Sequence, residues 1–363
     1  MSSYILRRLL LIIPTLIGIM LVNFTLAQFV PGGPIEQMIA RAQGQGDVFG
    51  GFSGGTNDTG ESEGLVQSEY VGARGLPPEF IEQLEKEFGF DKPPVQRFLL
   101  MMWNYIRFDF GDSYFQNKPV IDLVLEKLPV SITLGLWSTL IAYIISIPLG
   151  IRKAVRDGST FDNWTSGVII AAYAIPGFLF GILLLVLFAG GSFYQIFPLR
   201  GLTSDASVWE TLSWWGKVKD YVWHITLPVL ASTVSAFATL TLLTKNSFLD
   251  EIKKQYVITA RAKGLDERQV LYGHVFRNAM LIVIAGFPAA FISVFFGASL
   301  IIETIFSLDG LGRLGFEAAV ARDYPIVFGT LFVFGLIGLL VGIISDLMYV
   351  LVDPRIDFER REG

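Results

Sequence analysis

The sequence contains no cysteine. That excludes a disulfide framework, a zinc–thiolate site and a cysteine nucleophile. Histidine is nearly as scarce, with only His224 and His274. No His-Glu-x-x-His string occurs, and no Gly-x-x-x-x-Gly-Lys-Ser/Thr phosphate loop, so neither a zincin centre nor a nucleotide-binding loop is written in the chain. Charge is sparse as well. Asp, Glu, Lys and Arg make up 17% of the 363 residues, against about 25% in soluble domains. The net charge of −5 is mild and gives no reason to expect a nucleic-acid partner. Gly51-Phe52-Ser53-Gly54-Gly55 nominally matches a nucleophile elbow, but no strand precedes it and no histidine lies near, so it reads as chance.

Hydrophobic residues account for 52% of the chain, and they fall in long blocks, as a bilayer solvent demands. Helices are expected at 6–30, 129–151, 164–190, 224–245, 276–303 and 325–352. Each offers about 20 mostly apolar residues, enough for about 30 Å of hydrocarbon. The chain therefore reads as an all-α polytopic membrane protein of about six transmembrane helices. Arg7 and Arg8 before an apolar run also fit a signal peptide, but the run from Leu9 to Val30 is longer than a secretory core. Several spans hold Pro or Gly in mid-course: Pro148, Pro176, Pro288, Gly335, Gly338 and Gly342. Neighbouring helices make such breaks tolerable. The three glycines of the last span are placed to let another helix approach, and Pro176 reads as a static kink or a gating hinge.

Short loops set the orientation. Arg7 and Arg8, Arg152, Lys153 and Arg156, the run from Lys245 to Arg277, and Arg355, Arg360 and Arg361 all fall on one side of a six-span chain. Under the positive-inside rule that side is the cytoplasm, with both termini in it. The segments are then 1–30 as the first span, 31–128 as an extracytoplasmic insertion, 129–352 as the core, and 353–363 as a cytoplasmic tail. Inside the insertion, Pro31 to Pro34 form a turn and 43–64 read as a flexible Gly-rich loop. Short helices follow Pro77-Pro78, Pro93-Pro94 and Val120. The second carries Phe98, Leu99, Met102 and Ile106 on one stripe. These helices are expected to pack at the outer mouth rather than form a domain of their own.

The informative stretch lies in the cytoplasmic loop 246–275. It predicts a helix from about Asp250 to Lys263, a left-handed Gly264 at its end, and a second helix capped by Asp266 with Gln269 in capping-box position. The second helix runs on into the fifth span. Ala260, Ala262 and Gly264 give this elbow a small-residue knob, and the basic residues around it suit an acidic rim. From the residues alone, the elbow is either a docking element or a solvated positive-inside loop.

Tyr256-Val257-Ile258-Thr259-Ala260-Arg261-Ala262-Lys263-Gly264, followed by His274 and Arg277-Asn278-Ala279, resembles the coupling loop of ABC importer permeases of the oligopeptide and dipeptide type. The resemblance extends to Arg7-Arg8-Leu9, Pro31-Gly32-Gly33-Pro34, Phe110-Gly111-Asp112-Ser113, Leu128-Pro129-Val130-Ser131 and Asp353-Pro354-Arg355, and covers nearly all the chain except about 42–75. The insert, Phe108 to Ser113 and Asp353 to Phe358 are similar to the B-type permeases of Yej systems, which import oligopeptides and the peptide–nucleotide antibiotic microcin C.

The resemblance implies a type I importer permease in a bacterial inner membrane. A second, homologous permease would complete the pore, cytoplasmic ATPase subunits would close on ATP, and a periplasmic protein would deliver peptide. Residues Thr259 to Leu265 would dock in the ATPase groove, with Tyr256, His274, Arg277 and Asn278 supporting the elbow. ATP and Mg would sit on the partners, so this chain would hold no cofactor or metal and would not itself be an enzyme.

Other polar residues are candidate gate or pore groups. Asp346 lies inside the last span, where a charge must face protein or water; it is expected to pair with Lys245 or Arg277, or to serve as a pore carboxylate. Glu303 is placed at the outer end of the fifth span, at the mouth or the interface. Asn23 reads as an interhelical hydrogen bond. Trp209, Trp214, Trp215 and Trp223 form an interfacial belt or, less simply, a peptide-handling surface. An intramembrane enzyme would need a Ser/His or paired-Asp cluster that is not seen. An ion-coupled secondary transporter, the alternative reading, would need several ionisable groups at mid-depth and inverted halves. A poreless structural subunit would leave the elbow without a purpose.

Overall fold

The computed structural model describes residues 2–29, 86, 90–190, 193–292 and 299–352. The turn at Pro31–Pro34, the loop 43–64, the helix after Pro77-Pro78 and the tail 353–363 lie outside the described residues. All regular elements described are helical, with one isolated antiparallel bridge between Asp112 and Pro119.

The helices are α1 Ser2–Phe29, α2 Pro94–Tyr105, α3 Val120–Val155, α4 Thr160–Ala174, α5 Gly177–Phe188, α6 Ala206–Trp209, α7 Trp214–Ile252, α8 Gln255–Ala262, α9 Glu267–Val270, α10 Phe276–Ala285, α11 Phe287–Ile292, α12 Ser299–Ile305, α13 Leu311–Ala321 and α14 Tyr324–Val352. Among the described residues, three stretches are long and apolar enough to cross a bilayer alone: Tyr4–Phe29, Val120–Val155 and Tyr324–Tyr349. Two bent pairs raise the number to five, α4 with α5 at 91° and the two halves of α7 at 49°. The stretch expected as a fifth span, 276–303, holds the short helices α10, α11 and α12, with 293–298 outside the described residues; it is not among the helices long and apolar enough to cross.

Two expected spans prove longer than their apolar cores. The helix at 129–151 begins at Val120 and carries Pro129 inside it, so the short helix expected before the second span is continuous with that span. The helix at 224–245 extends to Trp214 and Ile252. Ser213 caps its start, its side chain accepting the Gly216 N–H. The expected single helix at 164–190 is broken instead. Ile175 is extended (ψ 118°) because it precedes Pro176, and Pro176 opens α5.

The chain divides into two compact units. One comprises Met1–Leu9, Lys127–Arg313 and Ile337–Gly363; the other Leu10–Glu126 and Leu314–Leu336. The second unit is organised by aromatics. Tyr105 meets Phe110 and Phe332 edge to face, with centroids 4.9 and 5.5 Å apart, and Phe24 packs on Phe98 and Phe328. Residues of the insertion thus share their core with α1 and α14. Asp323, just before α14, ties the 110–117 loop down: Ser113 Oγ donates to its Oδ2 at 2.5 Å and the Tyr114 N–H to its Oδ1 at 3.3 Å. In this unit the glycine expectation holds at Gly335, where an added Cβ would lie 3.0 Å from Leu16. Gly342 has nothing within 4 Å of such an atom and needs no glycine for close packing.

In the first unit, one buried cluster includes Leu134, Leu184, Ile225, Ile302 and Phe306. A second includes Ile151, Phe248, Val257, Val270, Ala279 and Val283, and this cluster builds the site below.

Candidate functional site

The elbow follows directly from the end of α7. The expected helix from Asp250 to Lys263 is interrupted: α7 stops at Ile252, and α8 restarts at Gln255 after an extended Lys254. At the far end of α8, Gly264 turns left-handed with φ +84°. The Gly264 N–H donates to Arg261 O at 2.9 Å and the Leu265 N–H to Ala260 O at 3.4 Å, the two closing bonds of a Schellman motif. Asp266 then starts α9 with a complete capping box: Asp266 Oδ1 accepts the Gln269 N–H at 2.6 Å, and Gln269 Oε1 accepts the Asp266 N–H at 3.3 Å. Arg261 spans the corner, its Nε and Nη2 donating to the two Glu267 carboxylate oxygens at 2.8 and 3.0 Å. A π-helical turn, Leu271–Val275, joins α9 to α10, and the ladder of the fifth span begins only after it.

The root of the elbow is buried and its tip is not. Val257, Ala260, Val270, Val275 and Ala279 are buried in the same cluster as Ile151 and Phe248. Full burial of a valine side chain is worth about 1.5–3 kcal/mol, so Val257 and Val270 fasten both arms. Thr259, Arg261, Ala262, Lys263, Gly264 and Leu265 face outward, flanked by Ile258. Ala260 therefore does not belong to the exposed knob, as its spacing implied. One turn of helix places it on the inner face with Val257.

Polar groups tie the root further. Tyr256 Oη donates to Glu251 Oε2 at 2.7 Å and accepts from Asn278 Nδ2 at 3.2 Å, joining α8 to α7 and α10. Burial first, and then the Glu251 carboxylate, holds the Tyr256 hydroxyl above its usual pKa, so it stays a protonated donor. Ser247 Oγ donates to Ala279 O at 2.7 Å. His274 sits exposed in the π-helical turn, and Arg277 is exposed beside Asn278.

The three candidate gate groups do not gather at one place. Asp346 pairs with neither Lys245 nor Arg277. Its Oδ2 accepts from Tyr4 Oη at 3.0 Å and lies 3.2 Å from Arg8 Nη2, because the N-terminal end of α1 brings a closer cation. Glu303 is completely buried. Its Oε1 accepts from Ser131 Oγ at 3.1 Å and its Oε2 from the Arg313 N–H at 2.7 Å. Ser131 Oγ in turn accepts the Leu311 N–H at 2.9 Å. Pro176 sits at the 91° break between α4 and α5. Among the described residues, Asn23 bonds within its own helix, its Nδ2 donating to Ile19 O one turn back at 2.8 Å. Trp214 and Trp215 are exposed and stack edge to face at 4.6 Å.

One cluster was invisible as a motif. Lys153 is completely buried, with its Nζ 2.9 Å from Asp162 Oδ1 and donating to Asp162 O, Thr165 Oγ1 and Ser166 Oγ at 2.7–2.8 Å. Lys245 Nζ lies 2.7 Å from Asp162 Oδ2 and 2.9 Å from Asp157 Oδ1. In the sequence, Lys153 and Lys245 look like ordinary cytoplasmic-side positive charges. Only the acidic Asp162 beside the third span hints at a partner.

A helical chain with apolar spans and a capped elbow suits a transport permease, and residues 146–358 match the family described as "Binding-protein-dependent transport system inner membrane component". The chain belongs to this family. It is 67% identical over 365 residues to "Peptidoglycan transport system permease protein YejB" of Agrobacterium fabrum, covering 100% of both chains. It is 59% identical to "Inner membrane ABC transporter permease protein YejB" of Escherichia coli O157:H7, over 99% of this chain and 100% of that one. It is 32% identical to "Dipeptide transport system permease protein DppB" of Escherichia coli K12, over 98% and 99% of the two chains. The ion-coupled alternative falls with this membership: the chain is an ABC-type permease of the inner membrane.

Proposed function

We propose that the chain forms half of the translocation pore of an ATP-driven peptide importer and receives the power stroke through its elbow. The carrying observation is the elbow itself: closed by a Schellman motif and a capping box, buried at its root, and exposed from Thr259 to Leu265 apart from the inward Ala260. A tip built so rigidly and left uncovered suits a groove on a cytoplasmic ATPase, which binds and hydrolyses ATP with its Mg. On this reading a second homologous permease completes the pore, and a periplasmic protein delivers the cargo. Both termini and the elbow lie in the cytoplasm. Residues 31–128 lie outside, and 129–352 form the core. The relatives are named for oligopeptide, dipeptide and peptidoglycan transport; the cargo proposed is their common chemistry, a peptide, including peptide conjugates of the microcin C kind. Lipid bathes the spans, and no nucleic acid takes part.

The test is a mild-detergent pull-down of the chain from its native membrane, followed by an ATPase assay on the eluate. Recovery of a second permease and an ATPase, with peptide-stimulated hydrolysis lost in Gly264→Asp, is expected. Recovery of the chain alone, with no hydrolysis, would remove the motor from the account.

A further inference from the structure

The cation–carboxylate cluster of Lys153, Asp162, Lys245 and Asp157 has no place in the docking of the elbow, yet it lies immediately behind it. Lys245 is seven residues, about two turns, before the end of α7 at Ile252. Only Lys253 and Lys254 separate that end from α8. A displacement of α8 is therefore delivered first to the lower end of α7. The charges at the core of the cluster balance, two ammonium groups against two carboxylates, and every member has a partner within 3 Å. Backbone donors join in, since the Gly158 N–H donates to Asp162 Oδ2 at 3.1 Å. The cluster thus fastens α3, the turn after it and the start of α4 to α7. The fastening is tight in steric terms too. A Cβ on Gly150, one turn before Lys153, would lie 2.6 Å from the Thr244 side chain and 2.9 Å from Thr241 O. At its other end α4 runs into the 91° break at Pro176.

We infer that Lys153, Asp162 and Lys245 form a rigid clamp that transmits the elbow's displacement to α4, which turns about the break at Pro176. These are positioning residues for transport, acting through α4 and not on the peptide. The inference rests on the proposed importer function. An exposed pair could not do this, because water and side-chain freedom would absorb the motion. A buried pair that loses one partner leaves an uncompensated charge, so the clamp is either closed or broken.

The test compares Lys245→Met, Lys245→Arg and the pair Asp157→Cys/Lys245→Cys in the assembled transporter, reading peptide uptake and ATPase rate per assembled complex. The absence of native cysteine makes the pair the only thiols of this chain, so a short bismaleimide can replace the ionic link. Expected are an uptake loss on the order of tenfold in Lys245→Met at an unchanged hydrolysis rate, near-normal uptake in Lys245→Arg, and recovery of uptake when the cysteine pair is bridged. Unchanged uptake in Lys245→Met, a parallel fall of uptake and hydrolysis, or inhibition on bridging would overturn the clamp. Failure of the importer reading is seen separately, as absence of peptide-stimulated hydrolysis in the unmodified complex.

Discussion

Gly264 holds φ +84° with nothing within 4 Å of where a Cβ would stand. Space is not the constraint there; backbone conformation is. Gly264→Ala is expected to weaken the elbow by about 1–2 kcal/mol, visible as faster amide exchange from Ala260 to Gln269. Asp tolerates the left-handed region better than Ala, so Gly264→Asp should leave the elbow more intact while placing a carboxylate on the exposed tip. Loss of ATPase docking in Gly264→Asp but not in Gly264→Ala would separate surface chemistry from local folding. Asp323 supplies a second test. Burial, the leading influence, raises its carboxyl pKa in spite of the donors at Ser113 and Tyr114. The folded state then binds a proton more tightly than the unfolded chain, so this group's contribution is full below the ordinary carboxyl value of about 3.9 and falls as pH rises through the raised one. Proteolysis of the loop from Phe110 to Lys118 should be slower on the acid side of the raised Asp323 value than above it, and Asp323→Asn should flatten that difference.

Among elements, the junction of α3, α12 and α13 depends on one hydroxyl. Ser131 Oγ donates to the buried Glu303 and accepts the Leu311 N–H. Gly310 has no room for a side chain because Glu303 fills the space beside it. Ser131→Ala should leave the Leu311 N–H without its acceptor and take one donor from Glu303 Oε1, at about 1–3 kcal/mol, read as a lower unfolding temperature in detergent; an unchanged temperature would mean water takes the hydroxyl's place. This also gives Leu128-Pro129-Val130-Ser131 a physical meaning that its letters did not carry. Phe110-Gly111-Asp112-Ser113 gains one likewise, since Phe110 packs on Tyr105 and Phe332 while Ser113 holds Asp323.

For the whole molecule, the cysteine-free chain makes orientation directly measurable. Lys263→Cys on the elbow should react with an impermeant maleimide only in inside-out vesicles, and Ser207→Cys before α7 only in right-side-out ones. The reverse pattern would invert the topology, and with it the side from which an ATPase could dock.

The three longest apolar helices, the Gly264 turn and the capping box at Asp266 were legible because each depends on residues near one another in the chain: apolar length, a glycine, an Asp three residues before a Gln. The burial of Ala260 was legible in principle from the 3.6-residue period, but small residues mark no face by themselves. Partners such as Arg8 for Asp346, or Ser131 for Glu303, lie far along the chain, and several basic residues suit each acid equally well. The same holds for Asp162 between Lys153 and Lys245. The one-dimensional pattern therefore determined that this protein lies in a membrane and carries an elbow. Only the packing of helices decided which charges are buried together, because burial and pairing are properties of distance in space and not along the chain.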